Sequence, residues 1–202
     1  MAQNLNLIAV DLGASNGRAI LGRYNGNKLE LEVLHKFENG GEIVNGNDYW
    51  DILKLYSNIK NGLNKAVVAT ENSIDSIGVD TWGVDYGLLD RDDNLLSNPY
   101  HYRDDRTDGL MEEVFEKVSR EKIYDKTGIE FIWFNTLYQL YADRKYRPWV
   151  LDNAETLLFT PDLINYFLTG NKYNEYTIAS TSQIFNPEEM DWSDEIFDRL
   201  DL

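Results

Sequence analysis

The hydrophobic positions of this chain recur with two different periods, and the change between them predicts its elements. Leu7-Ile8-Ala9-Val10 is a short continuous apolar run ended by Asp11-Leu12-Gly13, which predicts a central strand buried on both faces. Arg18 to Tyr24 predicts a second strand, joined to a third through Asn25-Gly26, the favoured two-residue hairpin signal. In the third, Leu29, Leu31, Val33 and Phe37 point one way and Lys28, Glu30, Glu32 and Lys36 the other, which predicts a strand with one wet face. His35 falls on the apolar side and reads as a structural histidine rather than a ligand.

A helical period follows. Tyr49, Ile52, Leu53, Tyr56, Ile59, Leu63, Ala66 and Val67 form one apolar stripe, with Asn47 or Asp48 as the cap. Ile74 to Thr81 reads as a buried strand and Val84 to Leu89 as another, so the order to this point is βββαββ. From Thr107 the pattern is mainly helical. Leu110, Met111, Val114, Phe115 and Val118 mark one helix, and Leu137, Leu140 and Tyr141 mark a second that ends near Pro148. Thr160-Pro161-Asp162 opens a third, stopped by Gly170. Trp192, Ile196, Phe197 and Leu200 lie in an acidic amphipathic segment cut off at Leu202, as in a truncated chain.

Composition narrows the classes. The 202 residues include 35 acids and 19 bases, a net charge of −16, with 43% hydrophobic residues. That supports one globular domain with a core needing no staples, and excludes disorder and collagen. The negative balance argues against nucleic acid and against an anionic membrane surface as partners, because both are held by Lys and Arg. No Cys is present, which excludes disulfides and thiolate metal sites and makes the cytoplasm the expected compartment. The N-terminus has no signal-peptide pattern, and no apolar stretch approaches the ~20 residues of a membrane span.

Three stretches carry candidate chemistry. In Asp11-Leu12-Gly13-Ala14-Ser15-Asn16-Gly17-Arg18 a carboxylate ends a buried strand and a small-residue turn leads into the next. Such a turn offers backbone N–H groups to phosphate, a carboxylate to hydrated Mg²⁺ and, in Arg18, a cation to offset charge. It is neither a Walker loop nor a dinucleotide fingerprint. A plain hairpin turn with a solvated Asp is the equal alternative on spacing alone.

In Asp80-Thr81-Trp82-Gly83-Val84-Asp85 an indole lies beside a gap without a side chain and between two carboxylates. That set suits a sugar, whose C–H face stacks on Trp82 while hydroxyls donate to the acids. The competing reading is a kink between two strands with Trp82 in the core. A glycosidase pair of Asp80 and Asp85 is a third, minor reading. In Tyr100-His101-Tyr102-Arg103-Asp104-Asp105-Arg106-Thr107 the alternating charges read as a surface ion-pair cluster. His35 and His101 share no ligand spacing, so zinc is not expected.

These stretches, with Phe134-Asn135-Thr136-Leu137-Tyr138-Gln139-Leu140 and Glu175-Tyr176-Thr177, resemble the N-terminal half of the FGGY carbohydrate kinases, within the actin, hexokinase and heat-shock-protein-70 superfamily. The Asp-x-Gly start is shared across that superfamily. The strings Asp80-Thr81-Trp82-Gly83-Val84-Asp85 and Phe134 to Leu140 look specific to its rhamnulokinase branch. The resemblance implies an α/β, ribonuclease-H-like domain with a mixed central sheet and flanking helices. It implies γ-phosphoryl transfer from ATP to O1 of L-rhamnulose, with Gly13, Ala14, Ser15, Asn16, Gly17 and Arg18 as the ATP phosphate loop. Asp11 would organise Mg²⁺, and Gly83 and Trp82 would touch the ketose. Asn16 stands where many relatives carry Ser. The family's general base, an Asp in a His-Asp-Thr string, and the adenine-binding second lobe are expected beyond position 202, so residues 1–202 read as one N-terminal domain, inactive alone. L-fuculose or xylulose kinases, and a non-catalytic carbohydrate-binding module, are the alternatives.

Overall fold

The computed structural model describes residues 4–202. β1 (Leu5–Leu12), β2 (Asn16–Tyr24) and β3 (Leu29–Glu38) form an antiparallel meander, followed by a small hairpin of β4 (Gly41–Val44) and β5 (Asn47–Trp50). Helix α1 (Ile52–Ala69) crosses one face of the sheet and returns the chain as β6 (Ser76–Asp80), parallel to β1, giving the strand order β3-β2-β1-β6. β7 (Tyr86–Leu89) leaves that sheet and pairs antiparallel with β8 (Thr156–Phe159). Between them run α2 (Leu110–Lys117), α3 (Arg120–Thr127), α4 (Thr136–Tyr146) and α5 (Pro148–Asp152). The chain closes with α6 (Thr160–Thr169), the short α7 (Tyr176–Ala179), a ribbon of β9 (Phe185–Asn186) and β10 (Asp191–Trp192), and α8 (Asp194–Leu200).

The core lies in two main parts. Val10, Leu12, Ile52, Leu55 and Ile59 pack between sheet and α1 and continue into Leu158, Leu163 and Ile164, while Leu110, Val114, Ile123, Leu137, Tyr138 and Ile196 fill the helical part. Each fully buried Leu or Ile contributes about 1.5–3 kcal/mol, so these positions dominate the fold. Gly170, in the left-handed region at φ 74°, ends α6 as its sequence position predicts.

Several expectations are corrected. Helix α1 starts later than predicted: Asn47 and Asp48 belong to β5, and Asp51 is the cap, accepting from the Lys54 N–H. The uniform alternation of β3 is broken by a bulge, because Ala19 pairs His35 while Ile20 pairs Val33. As a result His35 faces Ala19 and α1, whereas Leu29 and Leu31 lie over Gly22 on the opposite face, exposed with Val33. His35 has Lys65 Nζ 3.1 Å from its Nδ1 and no bond at Nε2; burial and that neighbouring cation lower its pKa. β1 buries only the face carrying Ile8, Val10 and Leu12, with Ala9 exposed on the other, and β6 is mostly exposed, so neither is the strand buried on both faces or the buried strand that the apolar runs predict; β7 begins at Tyr86 rather than Val84. Of the run from His101 to Thr107, Arg103 and Asp105 are exposed, while His101, Asp104 and Thr107 are buried and the Arg106 side chain is nearly so, so the run is only in part a surface cluster.

Candidate active site at the carboxyl edge of β1 and β6

The turn after β1 is built by its own backbone. Gly13 N–H donates to the Asn16 carbonyl at 2.8 Å, Asn39 N–H donates to the Ser15 carbonyl at 3.1 Å, and the Asn39 side chain donates to the Gly13 carbonyl at 2.8 Å. None of residues 13–18 adopts a positive φ. Ser15 is exposed, Ala14 and Asn16 half-buried, and Gly17 buried against Phe37. Arg18 stands opposite Asp11 in the ladder and its Nη2 is 2.9 Å from Asp11 Oδ2. On the other side of Asp11, Asp80 is its register partner in the parallel strand β6. Both carboxylates thus leave the same sheet face at the carboxyl ends of parallel strands, the edge at which open α/β sheets bind ligands.

From Asp80 the chain runs through Thr81 straight into Trp82 and Gly83, which brings the second candidate stretch to the same edge. The stretch is a loop, not a strand. Val84 takes a left-handed conformation at φ 68°, costly for a β-branched residue, and the Asp85 N–H bonds back to the Gly83 carbonyl at 2.9 Å. Thr136 Oγ1 donates to the Val84 carbonyl at 2.7 Å and steadies that strained residue. Trp82 and Gly83 remain partly exposed.

Asp85 does not behave as the sequence predicts. It is 1% exposed, so it is closed to sugar hydroxyls and to a glycosidase role. Its Oδ2 accepts from Trp50 Nε1 at 2.6 Å, Trp82 Nε1 at 2.8 Å and the Tyr102 N–H at 3.2 Å, while its Oδ1 accepts from Gln139 Nε2 at 2.8 Å. Burial pushes its pKa up to about 6 against the pull of those donors. Around it the rings of Trp82, Trp50, His101 and Tyr102 follow one another at centroid distances of 3.9, 4.1 and 4.6 Å. His101 Nδ1 accepts from the Arg103 N–H at 3.0 Å, and burial keeps the ring below the usual histidine pKa, hence neutral.

Behind this wall lies a second network. Arg106 donates to Asp143 Oδ1 at 2.8 Å and to Gln139 Oε1 at 3.0 Å, and stacks 3.9 Å from the Tyr100 ring; Tyr86 and Arg147 also donate to Asp143. Asp104 accepts from the N–H groups of Asp48 and Arg106. Trp50 and Asp143 escaped sequence reasoning because nothing local marks a residue whose partner lies 35 or 57 positions away. Among the described residues no group of three or more His, Asp or Glu has metal-holding geometry. Asp11 with Asp80 beside it still suits Mg²⁺, which takes one or two carboxylates and completes its shell with water and phosphate.

The family model described as "FGGY family of carbohydrate kinases, N-terminal domain" matches residues 6–202. A rhamnulokinase of Oceanobacillus iheyensis is 44% identical over 200 residues, covering 98% of this chain and 42% of that protein. A rhamnulokinase of Bacteroides thetaiotaomicron is 49% identical over 181 residues, covering 90% of this chain and 37% of its own length. The chain therefore spans about two fifths of the curated relatives it matches. Among solved structures, a ligand-bound xylulose kinase of Lactobacillus acidophilus superposes at TM-score 0.83 with 20% identity over 98% of this chain and 40% of that one. A Plasmodium falciparum glycerol kinase with ADP superposes at 0.78 with 18% identity, over 98% and 41%. These two show the shared fold.

Proposed function

This chain belongs to the FGGY family of carbohydrate kinases, as its N-terminal domain, and on that premise we propose that it is the sugar-holding lobe of an ATP-dependent L-rhamnulose kinase. The reaction moves the γ-phosphoryl of ATP to O1 of L-rhamnulose, giving L-rhamnulose 1-phosphate and ADP, in the cytoplasm. The observation that carries the reading is the identity of 44–49% to rhamnulokinases over nearly the whole chain. The meeting of Asp11, the 13–18 turn and Trp82-Gly83 at one sheet edge supports it.

In this reading Ala14, Ser15 and Asn16 present backbone and side-chain donors to ATP phosphates, Gly13 and Gly17 keep the turn tight, and Arg18 balances Asp11. Trp82 stacks on the C–H face of the ketose, and Gly83 leaves its backbone open to a hydroxyl. Asp11, with Asp80 beside it, would hold hydrated Mg²⁺. Such an ion would supply positive charge to offset that of the phosphates. Phosphoryl transfer depends on alignment and water exclusion between two lobes, so this domain alone transfers no phosphoryl at a useful rate.

A coupled ADP-release assay on the full-length protein, offered L-rhamnulose, L-fuculose, D-xylulose and glycerol in parallel, tests this. Preference for L-rhamnulose supports the reading; preference for another sugar moves the assignment within the family. No phosphorylation of any of them by a folded protein removes the kinase reading.

A further inference from the structure

Asp85 carries four hydrogen bonds from groups that otherwise have no reason to be aligned. Its Oδ2 takes the indole N–H of Trp82 at one end of the aromatic row, the indole N–H of Trp50 in the middle, and the backbone N–H of Tyr102 at the other end. Trp50 is fully buried, sandwiched between Trp82 and His101, while the two end rings, Trp82 and Tyr102, stay partly open. One buried oxygen therefore sets the spacing and tilt of the two rings that a ligand at this edge would meet.

The other oxygen ties the row to the helical part of the domain. Gln139 Nε2 donates to Asp85 Oδ1, and the same amide's Oε1 accepts from Arg106 Nη2, which fixes which end of the amide faces Asp85. Thr160 Oγ1 and the Thr160 N–H both donate to the Asp85 backbone carbonyl, so main chain and side chain are held together. All four side-chain contacts are donors, so only an acceptor-only carboxylate satisfies them. An amide in its place would set an N–H₂ against a donor, and Gln139 cannot turn over without facing Arg106 with its own N–H₂.

We infer that Asp85 is a positioning residue of the sugar site, fixing the Trp82–Trp50–His101–Tyr102 wall through Trp50, Trp82, Tyr102 and Gln139 without touching the sugar. This deepens the kinase reading and rests on it. Binding that acts equally on ground and transition states appears in KM rather than kcat. Loss of a preformed wall therefore weakens the sugar and leaves ATP alone.

The test uses the full-length protein with Asp85→Asn and Trp50→Phe, the second keeping an aromatic ring and removing one donor. Expected for Asp85→Asn is a rise of about tenfold in KM for L-rhamnulose, with kcat within about threefold and KM for ATP unchanged. The near-ultraviolet circular dichroism of the stacked tryptophans falls in the same variant. Trp50→Phe raises the sugar KM by about threefold, and it decides the matter if Asp85→Asn does not fold. An unchanged sugar KM in a folded variant overturns the inference, as does an equal rise in the KM for ATP. A wild-type protein that phosphorylates none of the sugars overturns the kinase reading instead, so the two failures are distinct.

Discussion

Gly17 and Phe37 face each other across β2 and β3 with no room for another atom: a Cβ on Gly17 would overlap the Phe37 ring and press on Leu12. This glycine of the turn after β1 is thus required by packing. Gly17→Ala is expected to cost about 1–3 kcal/mol through overpacking. A thermal melt should show Tm lower by roughly 3–10 °C, with part of the loss recovered by adding Phe37→Leu. A melt identical to wild type would mean that the ring does not fill that space.

At Gly83 the same substitution should behave differently. Its φ is not in the left-handed region, and an added Cβ would meet the Thr181 side chain, closest at Oγ1, 3.2 Å away. Gly83→Ala should change stability by less than about 1 kcal/mol, yet raise the sugar KM of the full-length protein by filling the gap beside Trp82. A drop in Tm as large as that of Gly17→Ala would show that Gly83 serves packing instead.

Arg106 is the centre of the buried charge network, and its planar fork reaches Asp143 and Gln139 at once. Arg106→Lys keeps the charge and loses the fork, so about 1–3 kcal/mol of stability should be lost. Arg106→Ala also removes the charge that Asp143 faces and should cost about 3–5 kcal/mol, although Tyr86 and Arg147 remain on that carboxylate. Urea titrations of the three proteins measure this directly. Equal midpoints for wild type and Arg106→Ala would reduce the network to an ornament.

The buried Asp162 gives a pH signature. Burial is the largest cause that raises its carboxyl from 3.8 to about 6, opposed by the Glu175 N–H that it accepts. A raised folded value favours the protonated form, so its contribution to stability is fully present below about pH 4 and is lost as pH rises through about 6. Asp162→Asn keeps the acceptor for Glu175 and removes the titration. Its stability relative to wild type should therefore improve between pH 4 and pH 7, read as the difference in unfolding free energy at each pH. A flat difference over that window would place the Asp162 carboxyl near its ordinary value.

Much of the fold was legible where structure is set by near neighbours. A turn does join β2 to β3 at Asn25-Gly26, although Asn25 bonds to Lys28 and the tip is Gly26-Asn27; a helix does follow, although its buried face runs through Ile52, Leu55, Ile59 and Ala66 and leaves the expected Leu53 and Val67 exposed; Thr160-Pro161 and Gly170 bound α6, because each signal acts within a few residues. The Asp11–Arg18 and Asp80–Asp85 stretches were also visible as strings, and the pairing of β1 with β6 brings them to one sheet edge. What tertiary structure alone decided are the features whose cause is distant. β4, β5 and β8 are short strands recognisable only by their partners, and the bulge at Ala19 and Ile20 turns Leu29, Leu31 and Val33 away from α1. The same holds for charge. Asp85 and Arg106 look like surface residues in a chain rich in acids, and they become buried only because α4 and the β5 strand bring Gln139, Asp143 and Trp50 against them. Burial is a property of the assembled core, and no local pattern can specify how much water a carboxylate will keep.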